Sequence, residues 1–171
     1  MPTLSEMPDH LLTLVSQADP ALASFDSTKW HASRGEGKWT RLQLLGHLID
    51  SAANNHQRFV RALAQNSLDW PGYDQIAHVS VQNYAAADPA LLLSLFTSYN
   101  RFISHVMRQI SPAKASTRCS IDGAPAMSLS DLALDYVAHL EHHLKQLLEN
   151  HPITYSGMPW PPADPNRQWP V

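Results

Sequence analysis

Apolar residues recur at helical spacing in four stretches of the chain, and each stretch predicts an amphipathic helix. In the first, over residues 4 to 25, Leu11, Leu12, Leu14 and Val15 make a short apolar face. Pro20, with Asp19 before it, predicts a break and a restart over residues 21 to 25. The second covers residues 40 to 64. Its broad stripe is Leu45, Leu48, Ile49, Ala52, Ala53, Phe59, Val60 and Leu63, with Thr40 as N-cap. The third starts with Asp88 as N-cap and Pro89 at the first helical position. It carries Leu91, Leu92, Leu95, Phe96, Tyr99, Phe102, Ile103, Val106 and Ile110, and Pro112 marks the stop. The fourth opens on a capping-box pattern at Ser128 and Asp131 and runs to about residue 150. Its stripe is Leu129, Leu132, Ala133, Tyr136, Val137, Leu140, Leu144 and Leu147.

The connections are uneven. Residues 26 to 39 hold Gly35 and Gly37 and read as a loop. Residues 66 to 88 form a long crossover, punctuated by Trp70-Pro71-Gly72, with a short helix over 74 to 86. Asp122-Gly123 is a hairpin-turn signal and predicts a small two-stranded flap within residues 115 to 127. Six of the last twenty-one residues are proline, so residues 151 to 171 cannot be helical. This segment, with Trp160 and Trp169, reads either as a strap that buries its tryptophans on the helices or as a loose tail. Four amphipathic helices, one long crossover and no convincing sheet predict an all-α four-helix bundle over residues 1 to 150, with a Pro-rich extension over 151 to 171.

Composition narrows the class. A chain of 171 residues with 44% apolar and 16% charged residues suits one soluble domain. The net charge of −3 and the lack of any lysine or arginine cluster argue against nucleic acid as a main partner. Cys119 is the sole cysteine, so no intrachain disulfide forms, which fits a reducing compartment. Residues 1 to 19 do not have a signal-peptide pattern, and no apolar run approaches the roughly 20 residues that span a bilayer. The expected location is the cytoplasm, with no membrane partner.

The candidate chemistry lies in Ala138-His139-Leu140-Glu141-His142-His143-Leu144. Four residues turn a helix by about 400° and raise it by about 6 Å, so His139 and His143 leave the same face one above the other. That spacing lets two imidazoles reach one metal ion. Two polar residues at a helix edge explain it as well. A third ligand has to come from another helix, and His47 in Gly46-His47-Leu48-Ile49-Asp50 is the best candidate. His47 falls roughly 150° from the centre of its helix's apolar stripe, where a cleft, a bundle rim or solvent would meet it. Asp50, one turn later, is a candidate proton acceptor, or simply a helix-surface aspartate. His142 reads as solvent-facing and His56 as a satisfied core histidine. Cys119 reads as a small apolar residue. There is no G-x-S-x-G elbow and no Gly-rich phosphate loop.

Gly37-Lys38-Trp39, Gly46-His47-Leu48-Ile49-Asp50-Ser51, Arg58-Phe59, Pro71-Gly72-Tyr73-Asp74 and His139-Leu140-Glu141-His142-His143, in that order and spacing, resemble the DinB-like superfamily. The likeness covers roughly residues 5 to 150. It is closest to the branch that includes bacillithiol S-transferases and metal-dependent hydrolases. The resemblance implies an up-down-down-up four-helix bundle that binds one divalent metal, most often nickel or zinc, through His47, His139 and His143. It implies transfer of a low-molecular-weight thiol to an electrophile, or hydrolysis through an activated water. A metal-binding bundle without catalysis is the rival from another class. A small-molecule substrate is expected, and apolar faces beyond what one bundle buries make a homodimer plausible.

Overall fold

All four long apolar stretches are helices in the computed structural model, which describes residues 3–149 and 151–158. Helix α1 is Met7–Ala23 and α2 is Ser27–His31. Helix α3, Arg41–Ala64, starts in a capping box: the Thr40 side chain accepts from the Gln43 backbone, and the Gln43 side chain accepts from the Thr40 backbone. The crossover holds strand β1 (Ser67–Trp70), helix α4 (Gln75–Val81) and a 3-10 turn, Tyr84–Ala86. Helix α5 is Pro89–Met107, capped by the Asp88 side chain, and α6 is the short turn Pro112–Ala115. Strands β2 (Arg118–Ile121) and β3 (Met127–Ser128) lead into α7, Leu129–Leu147, capped by Ser128 and Asp131.

Helices α5 and α7 each pack against both α1 and α3, so the four long helices enclose one core. Helix α1 runs antiparallel to α5: Ser104 donates to the Pro8 carbonyl at 2.8 Å, and Thr97 donates to Asp19 at 2.6 Å. Helix α3 runs antiparallel to α7, with His47 beside His143 and Phe59 beside Tyr136. The start of α3 and the end of α7 therefore meet at one end of the bundle. None of the described helices is long and apolar enough to cross a membrane.

Helix α2, capped by Asp26, forms where residues 26 to 39 read as a loop, and three further expectations need correction. First, α1 does not break at Pro20. The missing amide costs one hydrogen bond in the last turn, while Ala18 and Leu22 keep the helix packed on either side. Second, the fold is mainly helical rather than all-α, because a three-stranded sheet is present in the order β1-β2-β3. The expected flap is the antiparallel β2–β3 pair, turning through Asp122 and Gly123 at positive φ. Strand β1 adds to it in parallel, from Ser67 opposite Arg118 to Trp70 opposite Ile121. A four-residue strand whose partner lies about fifty positions away leaves too short an alternation to read. Third, the apolar stripes are wider than the faces the helices bury. Val60, Leu91, Leu95 and Phe102 are 42%, 63%, 45% and 49% exposed, and α5 instead buries Leu92, Leu93, Phe96, Ile103, Val106 and Met107. A helix that is apolar over much of its circumference does not itself say which edge faces its neighbours.

After α7, Ile153, Tyr155 and Met158 pack on the core. The Thr154 N–H donates to Gln17 of α1 at 2.8 Å, and the Ser156 N–H donates to Glu141 of α7 at 2.9 Å. Trp160 and Trp169, on which the choice between a strap and a loose tail turns, lie outside the described residues.

Candidate metal centre

The first turns of α3 are buried nearly all round. Leu42, Leu44, Leu45, Leu48 and Ala52 face the core. The opposite side is covered by the crossover, whose Tyr84 ring lies directly on Gly46. A Cβ at position 46 would come within 2.2 Å of that ring, so only glycine permits the contact. The Tyr84 hydroxyl donates to Oδ1 of Asp50 at 2.8 Å, and Gln82 Nε2 donates to the same oxygen at 2.7 Å. Asp50 thus ties the crossover to α3 and stands outside the histidine cluster.

This cover explains His47. Its position off the apolar stripe does not leave it in solvent: it is 1% exposed, between the end of α7 and the Trp39 ring, whose centroid lies 5.3 Å from its own. His139 and His143 are also buried, and one ligand atom from each of the three histidines lies within 4.8 Å of the others. The Nε2 atoms of His47 and His139 are 3.1 Å apart. Two imidazoles on one zinc at about 2.0–2.1 Å would be separated by about 2.9 Å at a right angle and about 3.4 Å at the tetrahedral angle. The spacing of His47 and His139 therefore suits a shared cation, and His143 lies close enough to join them. Among the described residues it contains three histidines and no carboxylate.

Protonation favours the same use. Burial lowers the pKa of His47 to about 4. Burial, reinforced by His47, lowers that of His143 to about 3. Both rings are then neutral at pH 7 and hold the lone pair that a metal ligand needs. Two of the rings are oriented from behind. Nδ1 of His139 lies 3.2 Å from Ser51 Oγ, and Nδ1 of His143 lies 2.8 Å from Gln146 Oε1. Such outer contacts orient the rings so that Nε2 would face a metal.

The other candidates fall elsewhere. His142 is half-buried rather than turned to solvent, because Gln146 holds it at 2.9 Å. His56 is half-buried and satisfied by the Tyr99 hydroxyl at 3.1 Å. Cys119 is fully buried, and burial raises its pKa, so it presents no ready thiolate. Sequence reasoning missed Ser51, Gln146 and Arg34. Gln146 stands three residues after His143, a local signal that was present, whereas Ser51 reaches His139 and Arg34 reaches Gln146 from 88 and 112 positions away. It also missed Glu141, which is fully buried and pairs with His10 of α1 on the side of the strap. Nothing in the spacing ties Glu141 to a residue 131 positions away.

Comparison with known proteins identifies the family and the fold. The profile of a family described as the DinB superfamily matches residues 10–147. A solved structure, YfiT from Bacillus subtilis, superposes with a TM-score of 0.76 at 22% sequence identity, over 84% of this chain and 83% of that one. YfiT is described as a probable metal-dependent hydrolase with an unusual four-helix bundle topology. No curated protein matches the chain.

Proposed function

The chain belongs to the DinB superfamily, and we propose that it is a metal-dependent enzyme acting on a small molecule in the cytoplasm, with one divalent cation, nickel or zinc, held by His47, His139 and His143. The observation that carries this reading is the convergence of three buried imidazoles with two Nε2 atoms 3.1 Å apart. A bound cation would supply Lewis acidity, lowering the pKa of a water or thiol that joins it. The chain contributes three neutral ligands, which leave the charge of the cation uncompensated and favour an anionic incoming group.

The reaction we favour joins a low-molecular-weight thiol to an electrophile. The sulfur forms the new bond to carbon, the leaving group departs with its electron pair, and the thiol proton passes to solvent. This chemistry asks little of a general base, in keeping with a cluster that holds no carboxylate among the described residues. Hydrolysis is the second reading, and the description of YfiT favours it. Asp50 is then the candidate proton acceptor, since its Oδ2 has no hydrogen-bond partner among the described residues. The same reading takes the bundle in up-down-down-up order; the antiparallel α1–α5 and α3–α7 pairs allow it, and the Phe25 and His151 rings, 6.0 Å apart just past the ends of α1 and α7, support it.

The test is elemental analysis of full-length protein purified without chelator or polyhistidine tag, beside His143→Ala. About one cation per chain in the parent, lost in a variant that stays folded, is the expected outcome. Equal metal content in both would remove the three-histidine site. A thiol and ester screen on the loaded protein then separates the chemistries, and inactivity throughout would leave a metal-binding bundle without catalysis.

A further inference from the structure

The side-chain amide of Gln146 sits among three groups. Its Oε1 lies 2.8 Å from His143 Nδ1 and 3.2 Å from Arg34 Nη1. Its Nε2 lies 2.9 Å from His142 Nε2. One assignment of protons satisfies all three contacts. A guanidinium only donates, so the amide atom facing Arg34 must be oxygen. An amide oxygen only accepts, so the nitrogen of His143 against it must carry the proton. A neutral imidazole has one N–H, so the lone pair of His143 is then at Nε2. The amide NH2 is left facing His142, whose Nε2 accepts.

We propose that Arg34 is a positioning residue of the metal centre, which acts through Gln146 to hold His143 in the tautomer that can bind a cation at Nε2. The proposal rests on the three-histidine reading above. His142 cannot set the amide, because imidazole accepts or donates according to its own tautomer. Arg34 can, because it has no acceptor. Without it, a flip of the Gln146 amide costs almost nothing sterically. The NH2 would then face His143 Nδ1 and draw the lone pair to that side. The proton would move to Nε2, and His143 would have to change tautomer before joining a metal. Arg34 is presented by the loop before α3, which is closed by the Ser33–Thr40 bridge and by the Ser33 hydroxyl donating to the Lys38 carbonyl at 2.8 Å. The loop's glycines gave no hint of this role.

The experiment compares the full-length parent with Arg34→Ala, Arg34→Lys, Gln146→Glu and the Arg34→Ala/Gln146→Glu double variant. Zinc affinity is measured by competition with a chelator. The His143 tautomer of the metal-free protein is read from imidazole nitrogen chemical shifts by NMR at neutral pH. Arg34→Ala is expected to weaken zinc by about 10- to 100-fold and to populate the Nε2–H form of His143. Arg34→Lys keeps a donor and retains most of the affinity. A carboxylate at 146 accepts in either orientation, so adding Arg34→Ala to Gln146→Glu should change neither affinity nor tautomer. Nε2–H at His143 in the parent would overturn the proposal. So would an Arg34→Ala variant that binds zinc like the parent, or an equal loss in the Gln146→Glu background, which would mark a merely structural loop contact. A parent that takes up no zinc defeats the metal reading instead, and the tautomer measurement still decides the role of Arg34.

Discussion

Replacing Gly46 by alanine should destabilise this protein, although alanine is the better helix former by about 1 kcal/mol. Gly46 lies inside α3, where local rules predict a gain. The added Cβ would stand 2.2, 2.3 and 2.6 Å from Cδ2, Cγ and Cε2 of Tyr84. Carbon atoms rest at about 3.5–4.0 Å, so the ring must retreat by about 1 Å or more. It has little room, being 6% exposed and anchored through its hydroxyl to Asp50. Overpacking of this kind costs about 1–3 kcal/mol. Loss of a hydrogen bond to a buried carboxylate costs about 1.5–3 kcal/mol more. Against the propensity gain, the net loss is about 1.5–5 kcal/mol, or roughly 5–15 °C in Tm for a chain of this length. Urea and thermal unfolding of Gly46→Ala, Tyr84→Ala and the double variant would measure it. In the Tyr84→Ala background the clash is gone, so Gly46→Ala should turn neutral or stabilising. A single variant as stable as the parent, or the same loss in both backgrounds, would refute the argument.

Acid should weaken the metal-free protein through its buried histidines. The folded pKa values of His47 and His143 lie near 4 and near 3, below the ordinary value near 6.5. As pH falls below about 6.5, the unfolded chain therefore binds their protons first. Stability is full above that pH and falls through the window down to about pH 3; at pH 4 His47 alone has removed about 3 kcal/mol. Denaturant midpoints across this range should slope less in His47→Ala, and parallel slopes would sink the assignment. His10→Ala should cost about 3 kcal/mol, because the fully buried Glu141 loses the imidazole on its Oε1 and keeps there only the neutral Ser156 N–H. Chemical denaturation checks this, and a loss below about 1 kcal/mol would show that Glu141 is satisfied without His10.

The His139–His143 pair was legible because its geometry is local: four positions along a helix place two rings together whatever surrounds them. The caps at Thr40, Asp88 and Ser128 were legible for the same reason, since each closes within three residues. His47 was harder. Its residue type and its short motif pointed to the site, while its angle from the apolar stripe pointed away from the core. The angle misled because α3 is covered on two sides, by α7 and by a crossover whose own pattern is weak.

The sequence by itself determined the four long helices, most of their ends and the histidine pair on α7, because helix periodicity and capping act over one or two turns. It offered His47 as a third candidate, and the resemblance implied it as a ligand. Only the tertiary structure decided that His47 is buried beside the other two, that β1 completes a sheet, and that Leu91, Leu95 and Phe102 face outward. It also decided that Arg34 reaches Gln146 and that His10 meets Glu141. Each of these contacts joins residues tens of positions apart in the chain, or depends on which neighbour a helix packs against. Their energies come from burial shared by several elements at once, and no single window of sequence contains them.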